Sequence, residues 1–246
     1  MKKIISYITT PIFYFLFLLT LVIFHPIQVI CKTLFGYQAH KVSVDILNYI
    51  LMHLVWVIGF RTKFTNKAKL PTNRPIIVVS NHQGAYDIPP IAWLFRKHHP
   101  KFISKIELAK NIPSVSYNLR HSGAALIMRK NRTQAFGEIR KLGKLIAEKN
   151  YCACVFAEGT RSKTGKLRKF KSGGLATLLE EAPNSLVVPF VIDGNYKIES
   201  KGLFPLSFGE KGRYSILEAI EPKGYTAEEL CLKIENLIQK ELNQNK

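Results

Sequence analysis

Acidic residues are scarce in this chain. Of 246 residues only 17 are Asp or Glu, against 36 Lys and Arg, leaving a formal net charge of +19. That balance points to anionic partners: nucleic acid, an anionic lipid surface or a phosphorylated substrate. Cysteine is sparse too. Cys31, Cys152, Cys154 and Cys231 are scattered, match no zinc-site spacing, and are expected to be buried free thiols in a reducing compartment. No Gly-x-Ser-x-Gly occurs, which argues against the commonest serine-hydrolase design. No nucleic-acid-binding motif, internal repeat or low-complexity tract is evident, and no metal or cofactor is expected. A hydrophobic content of 47% excludes a disordered basic tail.

Charge of either sign is missing altogether from residues 4–24, IISYITTPIFYFLFLLTLVIF. As a helix this run spans roughly 31 Å, close to the ~30 Å hydrocarbon core of a bilayer. Pro11 is tolerable in a membrane helix. A signal peptide is the rival reading, but the apolar run is too long and no small-residue cleavage site follows, so a retained anchor is expected. A second apolar segment, residues 42–60, carries Asp45 and His53 and is a poorer spanning helix. The two form an expected membrane-associated helical hairpin over residues 1–60, crossing twice or lying in one leaflet. Lys2 and Lys3 place the N-terminus on the cytoplasmic side of an inner (cytoplasmic) membrane, and either hairpin returns residues 61–246 to that side.

Beyond residue 61, short β-rich runs alternate with helical ones. Strands are expected at 75–80, 101–104, 124–128, 152–156, 186–192 and 213–220, and helices at 88–97, 106–111, 133–149 and 173–182. The C-terminal stretch is an amphipathic helix with Leu230, Ile234, Leu237, Ile238 and Leu242 on one face, opened by a Thr226–Glu229 capping box. This alternation predicts an α/β fold, a largely parallel sheet flanked by helices, with its site beyond the strand ends.

Three stretches carry candidate chemistry. Asn81–Asp87, NHQGAYD, follows the first predicted strand. On a continuous helix His82 and Asp87 would point about 140° apart. A tight turn at Gly84 and Ala85 would let them meet, and a carboxylate on one imidazole nitrogen leaves the other as a base. Alternatively, His82 caps a turn and Asp87 merely suits a helix N-terminus. Phe156–Gly174 begins FAEGTRS and holds six basic residues from Arg161 to Lys171 with no acid between. Gly159 and Thr160 beside a strand end, followed by the Arg161 fork, suit a phosphate, with Glu158 orienting Arg161 or bonding a substrate hydroxyl. The plain alternative is a surface ion pair worth little. Lys105 and Arg129 each follow a further strand end. In a parallel sheet these ends converge on one edge.

Together these stretches resemble the glycerolipid acyltransferase family, most closely bacterial 1-acyl-sn-glycerol-3-phosphate acyltransferases. His82 and Asp87 resemble its H-x4-D motif. Gly123–Arg129, Phe156–Ser162 and Val188–Gly194 are similar to its second, third and fourth blocks, in the family's order. The chain departs from the pattern at Gly84, Ala157 and Met128, where a small hydroxyl residue, a proline and an acidic residue are usual. The resemblance implies transfer of a fatty acyl group from acyl-CoA or acyl-carrier protein to the free hydroxyl of lysophosphatidic acid at a membrane. His82 would be the base and Asp87 its orienting partner. Arg161, Gly159, Glu158, Thr160, Lys105 and Arg129 would serve the acceptor phosphate. Another lysolipid or glycerol 3-phosphate is the alternative acceptor. A lipid hydrolase and a non-catalytic basic membrane-surface protein are the readings from other classes.

Overall fold

The structure, a computed structural model, describes residues 1–244. Seven strands form one sheet: β1 (Arg61–Asn66), β2 (Ile76–Ser80), β3 (Pro100–Lys105), β4 (Ala125–Ile127), β5 (Cys152–Phe156), β6 (Leu186–Asp193) and β7 (Lys211–Ile216). Their order is β1-β7-β6-β2-β5-β3-β4, and every neighbouring pair is parallel except β6–β7. The largely parallel α/β sheet is therefore present. All five residues of β2 are buried, as a central strand covered on both faces requires.

The period of two along these strands assigns the faces. Ile77, Val79, Ala153, Val155, Val187 and Val191 pack under α4 (Arg132–Lys149), α5 (Gly173–Glu181) and α6 (Ala227–Asn243). Ile76, Val78, Cys152, Cys154, Val188 and Phe190 face the other way, toward Ile91 and Phe95 in and beside α2 (Ile88–Leu94). On α6, Leu230, Ile234, Ile238 and Leu242 are buried and Leu237 packs beside them, and the Thr226–Glu229 capping box is formed. All four cysteines are free, and Cys31 is only partly buried.

Several boundaries differ from the sequence reading. α2 stops at Leu94, and a 3-10 turn follows at Arg96–His98. β7 ends at Ile216, after which Ile220 makes a single bridge to Val187. Two elements were not expected. β1 is a mostly exposed, polar edge strand whose formation depends on its parallel pairing with β7. α3 (Val115–His121) is too short to show a helical period.

The N-terminal apolar region is a bent helix, α1 (Lys2–Leu54), broken at Gly36, whose φ of 78° no helix accommodates. Leu21 packs with Leu47 and Leu51, and Phe13 with Val55 and Ile58, so the two arms run antiparallel as a hairpin. The first arm is longer than the predicted 4–24 run. The hairpin lies against the sheet domain from base to tip. At the base, Thr10 Oγ1 accepts from Leu206 N (3.0 Å) and the Tyr14 hydroxyl donates to Leu203 O (2.6 Å). Midway, the Ser114 hydroxyl donates to Leu21 O (2.7 Å). At the tip, Tyr37 stacks on His99 and Tyr151 and accepts a 2.9 Å bond from Lys101 Nζ. Ile4, Ile8, Ile12, Phe15, Leu19, Ile23, Ile27, Ile30 and Leu34 recur every three to four residues on the exposed side of the first arm.

Beyond β6 the chain turns at Gly194, with φ of 90°, to deliver Asn195 to the buried interior. A Cβ at Gly194 would collide with the Lys211 carbonyl oxygen on the neighbouring strand. Gly194→Ala is expected to cost about 1–3 kcal/mol of stability, from the left-handed backbone alone and more from the collision. A shifted denaturation midpoint checks it; an unchanged midpoint would show that this turn relaxes freely.

Candidate active site

Five adjacent strands, β6, β2, β5, β3 and β4, run parallel, so their C-terminal ends share one edge. Asn195 lies just past β6, His82 just past β2, Glu158–Arg161 past β5, Lys105 at the end of β3 and Arg129 past β4. The sheet thus gathers residues that are far apart in sequence, as parallel α/β sheets do at their carboxyl edge.

His82 and Asp87 meet. Nδ1 of His82 lies 2.7 Å from Asp87 Oδ2. Because a carboxylate only accepts, Nδ1 carries the proton and Nε2 is left as the base. The turn that joins them is a 3-10 turn at Ala85–Asp87; Gly84 is extended at φ −163°, so its left-handed freedom is not what closes it. Asp87 is fully buried and accepts three further bonds: from Gln83 N (2.6 Å), Gly84 N (3.0 Å) and Asn195 Nδ2 (2.7 Å). The Tyr214 hydroxyl donates in turn to Asn195 Oδ1 (3.0 Å). The imidazole stacks on Phe156 at 4.0 Å and 15°.

His82 lines a cleft of about 470 Å³ together with Lys105, Arg129, Gly159, Thr160 and Arg161. Lys163 and Lys171 line it too, giving five cations around one cleft. None of the five has a carboxylate within ion-pair distance among the described residues. Such a cluster repels itself and is matched by an anion of two or more charges.

Glu158 takes a different place from the expected one. It is buried, and its two carboxylate oxygens accept from backbone N–H groups of His82 (2.8 Å) and Arg168 (3.1 Å) rather than orienting Arg161. Burial raises its carboxyl to about 7, opposed by those two bonds. The His82 carbonyl accepts from Ser162 N (2.7 Å). Both backbone groups of His82 are therefore tied to the 158–162 segment, which braces the histidine as well as supplying Arg161.

A second, mostly apolar cavity of about 310 Å³ lies between the hairpin and the domain. Phe17, Leu21, Leu47, Leu51, Val115 and Leu119 are among its walls. It shares Ala85, Ile88, Ser104, Leu108 and Arg161 with the cationic cleft, so the two adjoin beside the dyad.

Asn195, Phe156, Lys163 and Lys171 were not singled out by sequence reasoning as site residues. Asn195 follows directly on the Val188–Gly194 block, and the two lysines lie in the basic run, but nothing local tells a cleft lysine from a solvated one.

A family model described as Acyltransferase matches residues 61–193. Among curated relatives, a 1-acyl-sn-glycerol-3-phosphate acyltransferase of Cocos nucifera is 29% identical over 143 residues, covering 58% of this chain and 44% of its own. One of the same name from Borreliella burgdorferi is 27% identical over 160 residues, covering 63% of this chain and 62% of its own. The matched stretch spans less than two thirds of either relative. Among solved structures, the 1-acyl-sn-glycerophosphate (LPA) acyltransferase PlsC from Thermotoga maritima matches with a TM-score of 0.79 at 25% identity, covering 99% of this chain and 97% of that one. With more than half of its length matched by the family model, and with a dyad and a cationic cleft at the sheet's carboxyl edge, this chain belongs to the Acyltransferase family.

Proposed function

We propose that this protein transfers a fatty acyl group from an acyl thioester, acyl-CoA or acyl-carrier protein, to the free hydroxyl of 1-acyl-sn-glycerol 3-phosphate, making phosphatidic acid for phospholipid biosynthesis. The observation that carries the reading is one juxtaposition. A His–Asp base adjoins five unpaired cations on one side and an apolar cavity on the other. A phosphate-bearing lysolipid and a fatty acyl chain have those two chemistries.

His82 Nε2 takes the proton from the acceptor hydroxyl as its oxygen attacks the thioester carbonyl carbon. The tetrahedral intermediate collapses with cleavage of the carbon–sulfur bond, and the leaving thiolate takes that proton back from the imidazolium. Asp87 holds the tautomer and stabilises the transient cation. Arg161, Lys105 and Arg129 hold the acceptor phosphate, with Gly159 and Thr160 shaping its approach. The acyl chain lies in the cavity under the hairpin. Residues 1–60 are the membrane anchor and 61–246 the acyltransferase domain, on the cytoplasmic side of the membrane.

His82→Ala is expected to lower turnover by about 10²–10⁴-fold while folding and membrane association persist. Asp87→Asn also loses most activity, because an amide cannot stabilise the imidazolium as a carboxylate does. A folded His82→Ala protein with wild-type turnover, measured on purified enzyme with lysophosphatidic acid and each donor, overturns the mechanism.

Arg161→Lys keeps the charge but loses the paired N–H fork. The acceptor KM is expected to rise with the donor KM little changed, and the preference for a phosphorylated lysolipid over its dephosphorylated analogue is expected to shrink. A variant that retains the full preference places phosphate recognition on Lys105, Arg129 and the two further lysines instead.

A further inference from the structure

The segment that leaves the active site after Asn195 returns to the hairpin through a loop of unusual surface chemistry. Residues Gly202–Pro205 read GLFP. Leu203 and Phe204 are 68% and 56% exposed, although the residues that follow, Leu206 and Ser207, are fully sequestered. The loop is not loosely held. Gly202 N donates to Glu199 O (2.9 Å), and Ser207 N donates to Ile198 O (2.9 Å), which closes its neck. Leu203 O accepts from the Tyr14 hydroxyl and Leu206 N donates to Thr10 Oγ1, which pin it to the first arm of α1. Phe204 meets Tyr7 of that arm edge-to-face, with ring centroids 5.6 Å apart. A well-anchored loop thus points two large apolar side chains outward, alongside the exposed apolar stripe of the hairpin.

We propose that this loop tip is a second lipid-contacting element, which enters the interfacial layer of an anionic bilayer beside the hairpin. The inference rests on the membrane reading above. Three observations select lipid as the occupant. The tip is continuous with the apolar hairpin face through the Tyr7–Phe204 contact. Four backbone groups of the loop, Gly202 N, Leu203 O, Leu206 N and Ser207 N, are bonded within the protein, and Pro205 has no N–H to satisfy, which lowers the cost of placing this irregular chain near lipid. Its flanks also carry more lysines than acids: Lys197 and Lys201 precede it, Lys211 follows it and Lys2 lies beside Gly209 at its return, against Glu199 and Glu210. Such lysines favour anionic headgroups. Because the segment begins at Asn195, which holds Asp87, a loop seated in the interface fixes the roll of the domain and so the depth of the dyad.

The test places an environment-sensitive fluorophore on Leu203→Cys in a full-length Cys31→Ser background, with the protein bound to phosphatidylglycerol–phosphatidylethanolamine vesicles. The expected result is a blue-shifted emission quenched by doxyl-labelled lipid and protected from iodide. If the protein floats with the vesicles while the label stays iodide-accessible, the loop assignment fails and the membrane reading survives. If the protein does not float, both fail. A label that becomes buried only as protein concentration rises, with a doubled mass in light scattering, makes the tip a contact between two copies and overturns the lipid assignment. Independently, Leu203→Glu/Phe204→Glu is expected to lower the vesicle partition coefficient by about tenfold or more. It leaves turnover on a monomeric short-chain lysolipid unchanged. An unchanged partition coefficient also overturns the proposal.

Discussion

A carboxylate with no access to solvent sits at the centre of the site, and much of the surrounding architecture is what allows it to be there. An isolated ionised carboxylate in such a place is costly unless its lone pairs are matched. Asp87 has four donors: two backbone N–H groups from its own turn, Asn195 from the far end of β6, and the His82 ring. Each donor imposes a constraint. The backbone pair fixes the Ala85–Asp87 turn. Asn195 requires the left-handed step at Gly194 and the Tyr214 hydroxyl behind it. The histidine must then be held in plane, which the Phe156 ring and the two backbone bonds to the 158–162 segment accomplish. Three sequence blocks are thus one mechanical unit.

The cations answer a different constraint. Gathering Lys105, Arg129, Arg161, Lys163 and Lys171 around one cleft without carboxylate partners opposes folding through mutual repulsion. Structural ion pairs elsewhere in the chain, such as Arg74–Glu221 and Lys67–Glu241, show that acids are available to pair with cations where pairing serves stability. Around the cleft they are withheld, so an anion bound there would relieve that repulsion. The same surplus of charge favours anionic lipid at longer range, where salt screens it within about 10 Å.

Legibility in the sequence followed sequence separation. His82 and Asp87 lie five residues apart behind a buried strand, and a local turn was enough to join them. The convergence of Lys105, Arg129 and Arg161 was legible because parallel strands share a carboxyl edge. Asn195 was not, since its bond to Asp87 spans 108 residues and no local pattern distinguishes it from a turn asparagine. Glu158 was legible as part of a site but not in its role. A carboxylate next to an arginine reads as an ion pair, whereas its actual partners are backbone N–H groups, which carry no sequence signature. β1 and α3 were illegible for another reason. One is a polar edge strand made by pairing, and the other has seven residues, too few for a period to register.

On the proposed membrane reading, the hairpin illustrates how a tertiary contact favours one of the seats that composition leaves open. Length and hydropathy suit two crossings of a bilayer as well as a single-leaflet seat. The first arm alone, residues 2–35, is about 51 Å long, well beyond a ~30 Å hydrocarbon core. Its tip nevertheless lies on the sheet domain, with Tyr37 beside the stacked His99–Tyr151 pair and bonded to Lys101. Two crossings in this arrangement would carry those charged and polar groups of the domain through the hydrocarbon, at the cost that intramembrane lysine incurs. A hairpin lying flat would instead offer its outer apolar face to one leaflet and its inner face to the cavity beside the dyad. An acyl chain could then pass from lipid to the cavity beneath the hairpin with little exposure to water, while the phosphate remains at the cationic edge of the sheet. On that proposed reading, anchor and active site are built from the two faces of the same pair of helices.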